Sequence, residues 1–391
     1  MADSKGSGEA NVEHFLLNLY KEVSTERRWS DELSDIVSAT KEMVKRIVNL
    51  AVLPYMDEHG SEGLTRINLK EAGSMADGTS ICDPDEFDFT LAFTYSSDVI
   101  STRPSSNLRD ISFSKYTIKP KDPRYRQIFL GNNMVHPSFF IKQNFLRLEN
   151  AIVKVRDSGP VKLGEKSLYL CVPDGKESYY GMQGPAFHLH NLLKWCSQSR
   201  SNDLFISVDL VPAIELSDES VYDNVPLFKQ ECPCKEHDLG RPERCLLLPL
   251  KCRELVMSAI HHYGDRDEDY YKAKTQFLQS NFMVSLSEYE NNIMKQWKCE
   301  KSIYHNWYIC YTLMKCFGKL DHNCGSTVNF KDGNTQIKSH KPNTSYPERN
   351  DSFSSYSWKT MVFTKAQKEG MTCLTVKIVS IVSRACLRKK I

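Results

Sequence analysis

The sequence predicts an α+β fold in which strands with flanking helices come first and a helical lobe follows. Apolar residues recur at helical spacing over residues 30–56 and again over 137–155. Residues 86–91 alternate with period two instead, which indicates a half-buried strand. Further strands are predicted at 167–172, 186–189 and 204–211, and further helices at 252–262, 285–297 and 307–317.

Length and composition indicate how the chain is divided. At roughly 150 residues per domain, 391 residues make one large or two ordinary domains, and 40% apolar residues exclude global disorder. We predict an N-terminal segment over 1–29, a β-sheet core over 30–225 and a helical lobe over 226–391. Residues 323–352, rich in Asn, Ser, Thr, Gly, Lys and Pro, are predicted to be a flexible insertion.

Charge and cysteine content limit the classes of function. Lys and Arg total 51 against 49 Asp and Glu, and the formal charge of +2 excludes a polybasic coat protein while a local basic face remains open. The N-terminus lacks the layout of a signal peptide, and no apolar run of about 18 residues occurs. Without an export signal, the odd number of 13 cysteines predicts free thiols in a reducing compartment. We therefore expect a cytoplasmic protein without a membrane span.

Three carboxylates stand out on the predicted strands. Glu86 and Asp88 lie at i and i+2 of one strand, so both project from the same face. Asp209 lies on an apolar strand that could run alongside. Carboxylates this close repel each other unless a cation lies between them, and Mg²⁺ prefers oxygen ligands. Such a set can hold two metal ions about 3.5–4 Å apart for phosphoryl or nucleotidyl transfer; the alternative is an ordinary solvated strand face.

A small turn precedes the acidic strand. Gly73 and Ser74 offer backbone N–H groups and a hydroxyl, which is how a loop can cradle a triphosphate. Each motif alone is common. The order of Gly-Ser, then Glu-x-Asp, then a distant Asp within apolar residues is far more specific.

These motifs resemble the nucleotidyltransferase core of cyclic GMP-AMP synthase and the animal receptors similar to it, a family related to the male-abnormal-type proteins. The resemblance covers roughly residues 30 to 365 and implies a bilobal nucleotidyltransferase with a mixed-sheet catalytic core, a long spine helix and a C-terminal helical lobe. Further matching motifs are Met43-Val44-Lys45, Gly184-Pro185-Ala186, Ser285-Leu286-Ser287-Glu288-Tyr289-Glu290, Leu313-Met314-Lys315 and Ser354-Ser355-Tyr356-Ser357-Trp358-Lys359-Thr360.

The resemblance also implies roles for individual residues. Glu86, Asp88 and Asp209 would bind Mg²⁺ or Mn²⁺. Phosphate would be contacted by Gly73, Ser74, Lys315 and Ser355, a base would stack on Tyr356, and Glu290 would face the nucleotide pocket. The implied activity joins ATP and GTP into a cyclic dinucleotide of the cGAMP type in innate immune signalling. A catalytically inactive binding protein of this fold and an oligoadenylate-type synthase remain alternatives.

Cysteine positions bear on the activating ligand. Cyclic GMP-AMP synthase carries a His-Cys-Cys-Cys zinc thumb that grips DNA, but the corresponding interval here offers only Cys299 and His305, with Cys310 just beyond. This difference shifts the expected activator from DNA toward double-stranded RNA. A separate cluster offers four zinc ligands, with apolar packing of the individual cysteines as the alternative: Cys232, Cys234, His237 and Cys245.

Double-stranded RNA is recognised mainly through its backbone and 2′-OH groups, so a basic face is required. The candidates, for which an ordinary solvated face is the alternative, are Lys41, Lys45, Arg46, Lys119, Lys121, Arg124 and Lys142. Ligand binding at this face is expected to order the loop over 74–84, and a ligand-induced oligomer is a further expectation. Two features depart from the family: Met283 replaces a usual arginine, and the tail over 361–391 does not resemble the family's closing helices.

Overall fold

The structure is a computed structural model, and it describes the greater part of the chain. The described residues are 4–59, 63–96, 99–104, 115–120, 137–171, 180–183, 185–199, 203–216, 244–249, 282–285, 287–300, 302, 304–322, 327–331 and 334–338. The helix predicted at 252–262 lies outside them.

Helices form where the apolar residues recur at helical spacing. They are α1 (Ser4–Val23), α2 (Thr25–Arg28), α3 (Leu33–His59), α4 (Gly73–Asp77), α5 (Pro137–Arg156), α6 (Ser287–Lys298) and α7 (His305–His322). α3 and α5 confirm the long helices predicted over 30–56 and 137–155, and α6 and α7 confirm those predicted over 285–297 and 307–317. Among the helices of the described ranges, none has the length and apolar character needed to cross a membrane.

Strands occur at each position where the sequence predicted one. They are β1 (Leu64–Ala72), β2 (Glu86–Tyr95), β3 (Ile100–Pro104), β4 (Lys115–Pro120), β5 (Val161–Leu163), β6 (Lys166–Leu170), β7 (Tyr180–Gln183), β8 (Ala186–Cys196), β9 (Leu204–Leu216), β10 (Cys245–Pro249), β11 (Phe282–Ser285), β12 (Thr327–Lys331) and β13 (Asn334–Lys338). β2, β6, β8 and β9 confirm the predicted strands, and β8 and β9 extend well beyond the predicted ends.

Within the described part of the chain, eleven strands form one mixed sheet with β9 at its centre. Along one edge β9 pairs in parallel with β2, and along the other it pairs antiparallel first with β8 and then with β10. β1 lies antiparallel beyond β2, β8 leads through β6 to β5 and also pairs with β7, and β10 leads through β11 and β4 to β3. The mixed α+β class is therefore confirmed, whereas the bilobal arrangement stays a prediction.

Two strands of the main sheet come from the region predicted as a helical lobe. β10 and β11 pair with each other and extend the sheet from β9 to β4. Their side chains Leu247 and Phe282 are fully buried. Periodicity alone does not distinguish a short apolar run in a strand from one in a helix. The sheet thus continues beyond residue 226, and β12 and β13 form a hairpin within the insertion predicted at 323–352.

One face of the sheet is buried under α3 and α5. Phe87, Phe89 and Phe93 alternate along β2 into this core, which confirms the inward orientation predicted for the first two. On α3, Met43 and Ile47 are four residues apart and fully buried against the same cluster. Burial of each such side chain contributes about 1.5–3 kcal/mol. The intervening residues of β2 therefore face the opposite side of the sheet.

A second apolar cluster joins the N-terminal helix to α6 and α7. Tyr20 and Val23 of α1 are buried against Trp297 of α6 and Tyr308 of α7. The rings of Tyr20 and Tyr308 meet edge to face with centroids 6.3 Å apart. Ile81, from the loop between α4 and β2, is buried in the same cluster. Much of the region predicted only as an N-terminal segment is therefore helical and packed against two later helices.

Candidate metal and phosphate site

The acidic residues meet because of the register between β2 and β9. The parallel pairing places Asp88 directly beside Asp209, and Glu86 precedes Asp88 by two residues on the same face. One oxygen from each of the three carboxylates lies within 4.8 Å of the other two. Glu86 is exposed, while Asp88 and Asp209 are half-buried. The proximity of Asp209 to the Glu-x-Asp pair is thus present in the structure, and the three acids could hold a metal ion.

The surroundings of Asp88 disfavour its ionised form. Burial, followed by the negative charges of Glu86 and Asp209, raises the pKa of Asp88 to about 7, and the ammonium of Lys315 opposes this rise. A cation between the carboxylates would remove the repulsion, and three carboxylate oxygens are ligands that suit a hard divalent cation. The donor set therefore fits the metal that the sequence predicts.

Position 73 requires glycine for two reasons, its backbone conformation and the lack of room for a side chain. Its φ of +69° lies in the left-handed region, and a Cβ at this position would lie 1.8 Å from Oδ2 of Asp88. Ala72, the last residue of β1, pairs directly with Asp88. The chain therefore turns immediately beside the acids, where Gly73 begins α4 and Ser74 follows it. The Gly-Ser turn named from the sequence thus lies next to the acids in the structure.

The loop after α4 is held by α7. Lys315 Nζ donates a hydrogen bond to the Thr79 carbonyl oxygen at 3.2 Å, and the Tyr308 hydroxyl donates to the Gly78 carbonyl oxygen at 2.5 Å. Buried Asp77 accepts hydrogen bonds from the backbone N–H and the hydroxyl of Thr79. Lys315 thus contacts the loop directly, and its charge acts on Asp88.

The same loop is also held by the residues between α1 and α3. The Cys82 N–H donates to the Val23 carbonyl oxygen at 2.7 Å, and the Trp29 indole N–H donates to Oδ1 of Asp83 at 3.1 Å. Lys298 of α6 forms an ion pair with Glu26 at 2.5 Å, close to the turn at Gly78. The loop for which we expect ordering on ligand binding is therefore in contact with helices on two sides in this structure.

Two histidines beside Asp209 were missed by the sequence analysis. His188 of β8 pairs across the sheet with Asp209, and its Nδ1 forms a short hydrogen bond with Oδ1 of Asp209. The ring of His190 stacks on that of His188 with centroids 5.4 Å apart. Burial, followed by the electrostatic effect of neighbouring His188, lowers the pKa of His190. The available signal was the His-x-His spacing in the strand that precedes the third acid.

A cationic cluster occupies the same sheet face farther along β9. Glu215 is 2% exposed, and its carboxylate contacts Arg66, Lys70 and Arg244 at 3.0–3.2 Å. Burial opposes its ionisation, but hydrogen bonds from Thr94 and Lys70 outweigh burial and lower the pKa of Glu215 to about 2. Sequence reasoning did not identify this cluster.

The remaining predicted nucleotide and zinc residues are only partly described. Glu290 is half-buried in the first turn of α6, and Met283 is half-buried in β11. Cys245 is fully buried in the main apolar core, as its packing alternative predicts. The other residues of these two sets lie outside the described ranges: Ser355, Tyr356, Cys232, Cys234 and His237. Their roles stay predictions.

The predicted basic face is described mainly on α3. Lys41 forms an ion pair with Glu71 at 2.5 Å, Arg46 forms one with Glu42 at 3.2 Å, and Lys45 is exposed. Pairing reduces the net positive charge that α3 presents. Lys119 lies in β4 and Lys142 in α5, whereas Lys121 and Arg124 are outside the described residues.

No protein-family model matches the chain, and no curated protein sequence matches it.

Proposed function

We propose that the chain is a metal-dependent nucleotidyltransferase that joins ATP and GTP into a cyclic dinucleotide of the cGAMP type. The observation that carries the proposal is the parallel register of β2 and β9, which brings Asp209 beside Asp88 and Glu86. Transfer at phosphorus depends mainly on positioning and on stabilisation of negative charge rather than on covalent chemistry by the protein. A converging set of carboxylates that can hold divalent cations suits that requirement.

The residues around the acids have complementary proposed roles. Glu86, Asp88 and Asp209 would hold Mg²⁺ or Mn²⁺; a bound pair of such ions supplies charge neutralisation for the triphosphate and activation of the attacking hydroxyl. The Ser74 hydroxyl would donate to a phosphate oxygen next to Gly73. Lys315 would bind the phosphate chain as a compact positive charge. Phosphate and base contacts are further proposed for Glu290, Ser355 and Tyr356.

The proposed setting is innate immune signalling in the cytoplasm, with double-stranded RNA as activator. The scarcity of zinc ligands at 295–307 supports RNA over DNA, and exposed Lys45 is one basic group available to a phosphate backbone. A ligand-induced oligomer is part of the proposal. The seven basic residues named from the sequence are the proposed contacts.

Two other functions would use the same fold. A binding protein of the male-abnormal type would bind nucleotide or nucleic acid without forming product. The complete set of three acids favours catalysis over this alternative. A synthase of the oligoadenylate type would share the metal site but release linear products.

The test is product formation by the full chain. Purified protein is incubated with labelled ATP, GTP and Mg²⁺, alone or with double-stranded RNA or DNA, and the products are separated by chromatography. We expect a cyclic product that requires double-stranded RNA and is lost in Asp88→Asn. Asp157→Asn, at a position where the side chain is 73% exposed, is the matched control and should retain activity.

Each other outcome identifies a different function. Linear products would favour the oligoadenylate type, and nucleotide binding without product would favour the inactive binding protein. Equal product from Asp88→Asn and the unsubstituted chain would contradict the assignment of the metal ligands.

A further inference from the structure

Five polar residues form a hydrogen-bonded path that begins and ends on β9. Ser207, two residues before Asp209, donates its hydroxyl to Oδ1 of Asn191 at 3.1 Å. The side-chain nitrogen Nδ2 of Asn191 lies 3.2 Å from Nε2 of His190. Nδ1 of His190 in turn lies 3.3 Å from Nε2 of His188. Nδ1 of His188 then bonds Asp209. The path therefore connects Ser207 on β9 to Asp209, the acid of the candidate metal centre on the same strand.

The two end groups of the histidine pair, the Asp209 carboxylate and the Asn191 side-chain N–H, decide which atom donates in each hydrogen bond. A carboxylate only accepts, so Nδ1 of His188 carries the proton that is donated to Asp209. Nε2 of neutral His188 is then an acceptor, which requires Nδ1 of His190 to be the donor. Nε2 of His190 accepts in turn from the side-chain Nδ2–H of Asn191. With both histidines as neutral Nδ1–H tautomers, assigned here from the network, each link has one donor and one acceptor.

A bulge in β8 creates this path. The register between β8 and β9 shifts between Leu189 and Leu193, so that three residues of β8 lie opposite Ser207. Asn191 sits in this bulge with a φ of +52°, a left-handed conformation that asparagine adopts more readily than most residues. Its backbone N–H donates to Oγ of Ser207 at 3.1 Å, so Ser207 holds it by two contacts. Bulges beside functional sites commonly redirect a side chain.

We propose that His188, supported by His190, Asn191 and Ser207, is a positioning residue that sets the orientation of the Asp209 carboxylate in the metal centre. The hydrogen bond holds Oδ1 of Asp209 and so fixes the plane of the carboxylate that would bind a cation. Carboxylates that ligate metals are generally oriented by such partners, and loss of a partner weakens metal affinity about 10–100-fold. This inference rests on the metal centre of the proposed function, but not on the identity of the nucleotides or of the activator.

The experiment measures Mn²⁺ affinity of the full chain by electron paramagnetic resonance in the absence of nucleotide. We expect His188→Ala to weaken binding about 10–100-fold. His188→Asn places an amide N–H where the ring Nδ1–H was, so its affinity should return to within a few-fold of the unsubstituted protein. His14→Ala, at an exposed position of α1, is the matched control and should bind as the unsubstituted protein does. Nitrogen NMR of the ring of His188 should show the Nδ1–H tautomer.

The outcomes separate this inference from the metal centre itself. If Asp88→Asn loses Mn²⁺ while His188→Ala binds normally, the centre stands and the positioning role is overturned. Equal weakening in His188→Ala and His188→Asn would overturn the role of the hydrogen bond, as would an Nε2–H tautomer. Failure of the unsubstituted chain to bind Mn²⁺ would overturn both the centre and the inference. Thermal unfolding of each variant verifies that it is folded.

Discussion

Asp88, which is half-buried, and Glu215, which is buried, are acids on the same face of the central strands, yet their charges are balanced in opposite ways. Glu215 lies six residues beyond Asp209 along β9, or roughly 20 Å at about 3.3 Å per residue. Three cationic side chains contact its carboxylate. The main neighbours of Asp88 are instead the carboxylates Glu86 and Asp209, opposed by the single charge of Lys315.

The difference distinguishes an acid whose charge the protein itself balances from one whose charge it leaves unbalanced. The surroundings lower the pKa of Glu215 to about 2, despite its burial, and so favour its ionised form in the folded protein. Burial and like charges raise the pKa of Asp88 to about 7, so its ionised form is disfavoured. An acid whose charge is balanced by its own protein stabilises the fold. An acid left among other acids would be stabilised by a cation from outside, an arrangement that is typical of functional sites.

The largest expected effect is an opposite response of stability to neutralising each acid. Glu215→Gln should lower the free energy of unfolding by about 3 kcal/mol, because it leaves a buried cluster of cations without its anion. Asp88→Asn should raise that free energy by about 1 kcal/mol when chelator is present, because it removes a repelled and desolvated charge. Urea unfolding at pH 7 measures both changes.

The control for this pair is an acid without such surroundings. Glu165 lies in the exposed turn between β5 and β6. Glu165→Gln should therefore change the free energy of unfolding by less than about 0.5 kcal/mol. Equal destabilisation by Asp88→Asn and Glu215→Gln would mean that both acids are structural, and the comparison would fail.

The next effect concerns stabilisation by a divalent cation. Mn²⁺ at about 100 times its dissociation constant should raise the free energy of unfolding of the unsubstituted chain by about 2.7 kcal/mol. Mn²⁺ should leave the free energy of unfolding of Asp88→Asn unchanged. It should raise that of Glu215→Gln by the full amount, although this variant is less stable to begin with. Thermal unfolding with Mn²⁺, followed by reversal with chelator, makes the measurement. A full gain in Asp88→Asn would place the ion elsewhere.

Much of the acidic cluster was predictable, whereas the cluster around Glu215 was not. The alternation along β2 places Glu86 and Asp88 on one face, because side-chain direction in a strand depends only on local sequence. Arg66 and Arg244 lie 149 and 29 residues from Glu215, and only the sheet order brings them together. His188 was in a predicted strand, but its contact with Asp209 depends on strand order, which periodicity does not specify. Local sequence patterns therefore predicted which residues share a face of one strand, but not which residues of different strands are in contact.

The smallest of these effects is the acid sensitivity that Glu215 confers. Because its pKa in the folded protein lies below the ordinary value of 4.5, the contribution of Glu215 is fully present above about pH 4.5 and is lost as the pH falls toward about 2. The stability difference between the unsubstituted chain and Glu215→Gln should therefore shrink by about 2 kcal/mol between pH 6 and pH 3. Urea midpoints at pH 6, 5, 4 and 3 follow the change. A difference that stays constant with pH would show that Glu215 stabilises the sheet through packing and not through its charge, and Asp88 and Glu215 would then no longer differ in how their charges are balanced.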